Sequence, residues 1–182
     1  MLRITTPETE LYDEANNIFI PVPSYTITLE HSLISLSKWE SRWCKPFLSK
    51  DGITTEQTID YIRCMTLTPN VPEIVYNLIS DDNVKQVEKY INAPMTATWF
   101  SEDKNGKGKS SGEIVTSELI YYWMIALQIP IKCEHWHLNR LLTLIKVCNI
   151  KNAPPKKMSR KEILNRNAAL NAARRKQFHS KK

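Results

Sequence analysis

Glycine, cysteine and long apolar runs are all scarce in this 182-residue chain, and each scarcity excludes a class of protein. There are four glycines, and Gly106, Gly108 and Gly112 all fall within residues 101–113. That stretch contains Gly106-Lys-Gly108-Lys109-Ser110, but a phosphate loop needs a further glycine five residues before Gly108, where Asp103 stands. A strand-like Glu-Ile-Val also intervenes before the next helix, so the strand–loop–helix frame of a nucleotide site is missing. The four cysteines, Cys44, Cys64, Cys133 and Cys148, form no C-x-x-C pair. In a chain this long and cysteine-poor they read as free thiols of a reducing compartment. The longest apolar run, residues 119–127, contains Tyr121 and Tyr122 and falls far short of the roughly 20 residues that span a bilayer. No apolar stretch follows the start, because Glu8, Glu10, Asp13 and Glu14 come soon after, so no signal peptide is expected. No internal repeat is evident.

What is present is a core's worth of apolar residues, 42%, and an ordinary 24% of charged ones. The net charge of +6 is unevenly divided. Residues 151–182 hold 11 Lys/Arg against Glu162 alone, a local +10, while residues 1–150 hold 14 basic and 18 acidic residues, a local −4. A mildly acidic body with a strongly basic end implies an anionic partner or a solvated tail.

Periodicity predicts a mainly α fold with minor β, in three parts. Residues 1–17 read as a polar N-terminal arm, residues 18–150 as a helical globular domain, and residues 151–182 as a basic linker and helix. Tyr25, Ile27 and Leu29 alternate with Thr26 and Thr28, which is strand spacing, with Pro21 and Pro23 suited to a strand start or an edge. Ser37 and Glu40 form an S-x-x-E capping box for a short helix ending before Pro46. Thr54 and Gln57 open a second helix, through about residue 65, with Ile59, Ile62 and Cys64 or Met65 inward. The stretch Ser80 to Asp82 offers an N-cap for a third over residues 83–91, where Val84, Val87 and Ile91 share a face. Residues 95–100 read as a strand, the glycine-bearing loop as a hairpin tip, and residues 113–115 as its return. Thr116 caps a helix over residues 117–127. Beyond Pro130, residues 133–149 form the longest helix of the body, striped by Leu138, Leu141, Leu142, Ile145 and Cys148. A short link should pack those two helices as an antiparallel pair. Cys133 and Cys148, on one helix, could not then bridge. Pro154 and Pro155 mark a linker, and Ser159 with Glu162 a third capping box for a basic helix over residues 160–177. That helix has few apolar residues and is marginal until it docks.

Candidates for chemistry are few. Cys133 and His137 share a helical face, but two ligands do not close a tetrahedral metal site, and His31 and His179 are distant in sequence. No nucleophile elbow or telling carboxylate pair occurs. No catalytic residue, metal or cofactor is expected. The aromatic-basic stretch Lys38 to Leu48 stands out: Trp39 and Trp43, four residues apart, either plug the core or join Arg42 and Phe47 in a partner-binding surface, since Trp and Arg are enriched at interface hot spots. In the tail, Arg160, Lys161, Arg174, Arg175 and Lys176 either lie solvated, dock on an acidic protein groove, or neutralise nucleic-acid phosphates.

Several stretches together resemble the small tail assembly chaperones of tailed bacteriophages. They are Leu36-Ser-Lys-Trp39-Glu40 with Lys45-Pro46-Phe47-Leu48, then Thr116-Ser-Glu-Leu-Ile-Tyr-Tyr-Trp-Met124, then His135-Trp-His-Leu-Asn-Arg-Leu-Leu142, and the basic Asn167-Ala-Ala-Leu-Asn-Ala-Ala-Arg-Arg175. The resemblance implies a non-enzymatic protein of the host cytoplasm whose partner is the tape measure protein, or another tail protein, during virion assembly. It implies no membrane partner and leaves self-association open. A structural virion component (tail, baseplate or connector) is the alternative, and a nucleic-acid binder using the basic tail is a further one.

Overall fold

The computed structural model describes residues 1–13, 16–49, 52–100, 114–154 and 160–179. The architecture is mainly helical with a small β part. In chain order come four strands, β1 (Leu2–Thr5), β2 (Thr9–Asp13), β3 (Ile18–Val22) and β4 (Thr26–Leu29). Seven α-helices follow among the described residues: α1 (Leu33–Trp43), α2 (Thr55–Met65), α3 (Glu73–Asn77), α4 (Asp81–Ile91), α5 (Ser117–Ala126), α6 (Leu138–Asn152) and α7 (Arg160–His179). A 3-10 turn, Ile131–His135, precedes α6. The chain divides into two compact units, Met1–Asn149 and Ile150–Lys182.

Residues 1–17, expected as an arm, instead hold two strands. β1 pairs antiparallel with β4 and β2 with β3, and both pairs share one register, because Leu2 opposes Leu29 and Thr9 opposes Val22. They form one ribbon, continued past β1 by the Thr6 N–H donating to Tyr25 O at 2.9 Å, with Pro7 and Pro23 supplying no N–H where the ladder breaks. β1 hid from sequence reading because it carries only two inward residues, Leu2 and Ile4. The expected alternation in β4 holds: Ile27 and Leu29 are buried, Thr26 and Thr28 are not.

Two apolar cores share α1. Ile4, Ile27 and Leu29 of the ribbon pack with Trp39, Tyr61, Ile62, Met65, Val75, Val87 and Tyr90 in the first. Leu33 and Leu36 pack with Ile120, Met124, Ile129, Cys133, Leu138, Leu141 and Ile145 in the second. α1 starts one turn earlier than its sequence suggested: Ser32 is the N-cap and Ser35 its reciprocal partner, not Ser37 and Glu40. The Thr54–Gln57 box of α2 and the Ser80 cap of α4 form as expected. Residues 95–100 are irregular rather than a strand, as are Ile114 and Val115, so their β-formers pair with nothing described. The glycine-bearing loop and the Ser159 cap lie outside the described residues. α5 lies closest to α1, and its Ile120 and Met124 share the second core with Leu138, Leu141 and Ile145 of α6. At its end Gln128 takes a left-handed φ of 55°, and its N–H and that of Ile129 return to Ile125 O and Met124 O in a Schellman stop. The 3-10 turn then intervenes, which also removes Cys133 from α6 and places it buried in the second core.

A buried polar seam ties the first core to the start of α6. Glu30 accepts from the Tyr90 hydroxyl at 2.8 Å and faces the Met1 amino group at 3.0 Å. His137 bonds Tyr90 O through Nε2 at 3.1 Å, and its ring meets that of His31 edge-on at 5.1 Å. His31 Nδ1 shares a 2.6 Å hydrogen bond with the Tyr61 hydroxyl. Burial, seconded by the neighbouring His137, holds the His31 pKa down at about 3 from an ordinary 6.5. Burial lowers that of His137 as well. The unfolded chain therefore takes up protons below about pH 6.5 that the folded chain refuses until about pH 3. Stability must fall as pH drops through that window, by roughly 2 kcal/mol from His31 alone at about pH 5. Urea denaturation at pH 7 and 5 should show this slope, and His31→Gln should flatten it; an unchanged slope would contradict a buried neutral His31.

Glu40 is the second buried polar tie. It is 6% exposed, and its Oε1 accepts from Phe47 N at 2.9 Å while Oε2 accepts from Ser117 N at 2.7 Å. One carboxylate thus closes the loop after α1 and caps the N-terminal end of α5, where the helix dipole favours an anion. Glu40→Ala leaves two N–H groups without their acceptor and should cost about 3 kcal/mol. Glu40→Gln, which keeps one acceptor oxygen, should cost about half as much, read as a smaller drop in the urea midpoint.

Candidate functional site

The expected partner-binding residues in and just after α1 differ in exposure: Trp39 is buried, Trp43 and Phe47 are half-buried and Arg42 is exposed. Trp39 is 1% exposed, donates its indole N–H to Gln57 O at 2.9 Å, and meets Phe47 edge-on at 5.1 Å. Phe47, half-buried, stacks on Tyr61 at 4.0 Å. Trp39 therefore offers a partner no surface, and the placement of two tryptophans at i, i+4 reflects core filling. Trp43 is half-buried and donates its indole N–H to Asp60 Oδ2 at 2.8 Å. Arg42 stays exposed but its guanidinium also pairs with Asp60. In the second unit, Arg160, Lys161, Arg174 and Arg175 are exposed along α7, with Ile163, Leu164 and Leu170 also bare; Lys176 lies on the same helix, its side chain outside the described residues.

Cys133, His135 and His137 do not converge. Cys133 is in the core, the His135 side chain is 69% exposed beside Glu134, and His137 is buried with Nε2 on Tyr90 O and Nδ1 accepting from Asn139 N. The structure does bring His31 to His137, but as an aromatic contact. Among the described residues no group of three His, Cys, Asp or Glu side chains is arranged to hold a metal. All four cysteines are unpaired. No helix among the described residues is long and apolar enough to cross a membrane.

The surface that sequence reading missed is α5. Its ten residues, SELIYYWMIA, include one charge, Glu118. A helix apolar on every side is normally enclosed on every side. α5 is not. Ser117, Ile120 and Met124 face inward, while Tyr122 is 64% and Ile125 74% exposed. Leu119 and Trp123 flank them, half-buried, and Ile131 beyond the Schellman stop is exposed as well. Tyr121 is held in place by its hydroxyl, which donates to Glu134 Oε2 at 2.8 Å. The outward residues are large, aromatic or branched, and sit on a helix fixed at its start by Glu40 and at its end by backbone bonds. The sequence carried a signal for this: the run over residues 119–127 lacks the polar residues that an amphipathic surface helix would place at every third or fourth position.

Two other bare apolar groups occur. Trp99 is 93% exposed in the irregular segment after α4. On the outer half of the ribbon, Tyr12, Ile18, Phe19 and Ile20 are exposed, with Tyr12 and Phe19 in ring contact at 5.1 Å. Exposed apolar groups of this size on positioned elements are what protein–protein contact requires, and they supply no acid, base or nucleophile. Compared with known proteins, the chain matches no family model, no curated protein and no solved structure.

Proposed function

We propose that the chain is a non-catalytic binding protein whose α5 receives an apolar helical segment of another protein, and that it serves as a tail assembly chaperone of a tailed phage. The observation that carries the reading is the bare outward face of α5, Tyr122 and Ile125, on a helix apolar all round. Helix-on-helix packing joins apolar stripes of this kind, and a long helical client with such a stripe aggregates if left uncovered. The resemblance to phage tail chaperones supplies the client's identity, a tape measure protein, and the host cytoplasm as the setting. α5 itself lies in one of the stretches that carry that resemblance.

Co-expression with a tape measure protein tests this directly. The chain should keep the client in the soluble fraction. The Tyr122→Lys/Ile125→Glu double variant should lose that ability while its urea midpoint stays within about 0.5 kcal/mol of the parent, since both side chains face solvent. A double variant that solubilises the client as well as the parent would remove α5 from the reading. Finding the chain in purified virions by mass spectrometry would replace the chaperone with a structural component.

A further inference from the structure

Lys38, Ser41 and Arg42 of α1 face Arg63 and Cys64 of α2 across an open cleft of about 560 Å³. Its charge is not balanced. Asp60, 6% exposed, is the one buried carboxylate paired there among the described residues: Oδ1 accepts from both Arg42 and Arg63, the latter at 3.0 Å, and Oδ2 accepts from the Trp43 indole. Glu73, which also pairs with Arg63, is 71% exposed and stands in water. Lys38 forms no ion pair among the described residues. Two arginines thus share one buried carboxylate, which also accepts from the Trp43 indole, and Lys38 adds a third cation beside them. Arg63 donates to Asp60 and Glu73 and lies over the Tyr76 ring at 5.1 Å, while Arg42, its side chain 52% exposed, donates to Asp60 through Nη1 and has further N–H donors on its planar fork. Asp60 tethers both guanidiniums at the cleft before any ligand arrives.

We propose that this cleft docks an acidic side chain, glutamate or aspartate, carried by a protein partner. The planar forks of Arg42 and Arg63 match a carboxylate in geometry, and Lys38 adds an uncommitted charge. A polyphosphate backbone is the poorer fit. Residues 1–150 carry a net −4, which repels a polyanion beyond the cleft but spares a single carboxylate. Among the described residues lining or adjoining the cleft no free ring stands ready to stack a base either, since Trp43 is bonded to Asp60 and lies against Trp39 at 6.3 Å. The inference rests on the reading of the chain as a binder of helical proteins, and adds that the client is acidic where it meets α1 and α2.

Two synthetic helical peptides with the same apolar stripe test it, one with glutamates on the flanking positions and one with glutamines there. Titrated into the full chain at low ionic strength, the glutamate peptide should bind about tenfold tighter, and added salt should shrink the difference. Lys38→Glu, at an exposed residue whose side chain forms no ion pair among the described residues, should lower glutamate-peptide affinity about tenfold and leave the glutamine peptide unchanged. Arg42→Lys, which keeps the charge but loses the fork, should fall between. Equal binding of the two peptides by the parent chain would overturn the cleft while leaving the α5 reading intact; failure of both peptides to bind would remove both. Inorganic phosphate or duplex DNA displacing the glutamate peptide as well as its own unlabelled copy would assign the cleft to phosphate instead.

Discussion

The whole first unit depends on one helix doing two jobs. α1 sends Leu33 and Leu36 into one core and Trp39 into the other, so neither core closes without it. Burying Trp39 is made tolerable by its indole bond to Gln57 O, which leaves no polar atom stranded in the apolar interior. Next to it, Glu40 spends its carboxylate on two backbone N–H groups that belong to other elements. A buried carboxylate is costly unless its lone pairs are taken, and here both oxygens are. The arrangement fixes where α5 begins relative to α1, and so fixes the direction in which the outer residues of α5 point.

That rigidity matters for the surface α5 presents. An exposed apolar side chain on a mobile loop loses conformational freedom on binding, and that loss offsets what burial contributes. α5 is anchored at Ser117 by Glu40, at Tyr121 by Glu134, and at its end by the Ile129–Met124 backbone bond. Tyr122 and Ile125 are therefore displayed with little left to order. The α1–α2 cleft is built on the same logic with charge in place of apolar area: Asp60 immobilises two guanidiniums whose free rotation would otherwise weaken any ion pair they made.

Much of this was legible in the residues, and the misreadings have physical causes. The Thr54–Gln57 box and a cap within Ser80 to Asp82 are legible in the sequence because a helix start is a local event, decided within four residues. Ser37 and Glu40 have the same pattern and are not a cap, because the acceptor that Glu40 offers is used by Phe47 and by Ser117, the latter 77 positions away. Spacing cannot show such a partner. The Trp39–Trp43 pair was open between core and surface for a similar reason: i, i+4 spacing puts both on one helical side without saying what covers that side. The strand expected over residues 95–100 failed because β-propensity needs a neighbour to pair with. Conversely β1, with two inward residues, was too short to show a period but found its neighbour in β4. The outer face of α5 lies in the longest apolar run of the sequence, whose composition marks a helix but not which of its sides stays uncovered.

The size of the α5 surface sets how such a protein would work. Burying one large apolar side chain contributes about 1.5–3 kcal/mol, and the exposed Tyr122, Ile125 and Ile131 together therefore roughly 5–9 kcal/mol. Association costs at least about 4 kcal/mol in lost translational and rotational freedom. A single copy on a single client stripe would thus hold weakly and leave quickly. Weak individual contact would suit the proposed chaperone role, because each copy could be displaced without breaking a tight complex. Discrimination then has to come from something other than apolar area, since any bare helix offers that. On the proposed reading the cleft of Lys38, Arg42 and Arg63 would supply it: a client stripe flanked by carboxylates would gain a charge contact there, and one flanked by cations would meet repulsion. Adhesion without specificity on α5, and specificity without much adhesion at the cleft, would together make binding both selective and reversible.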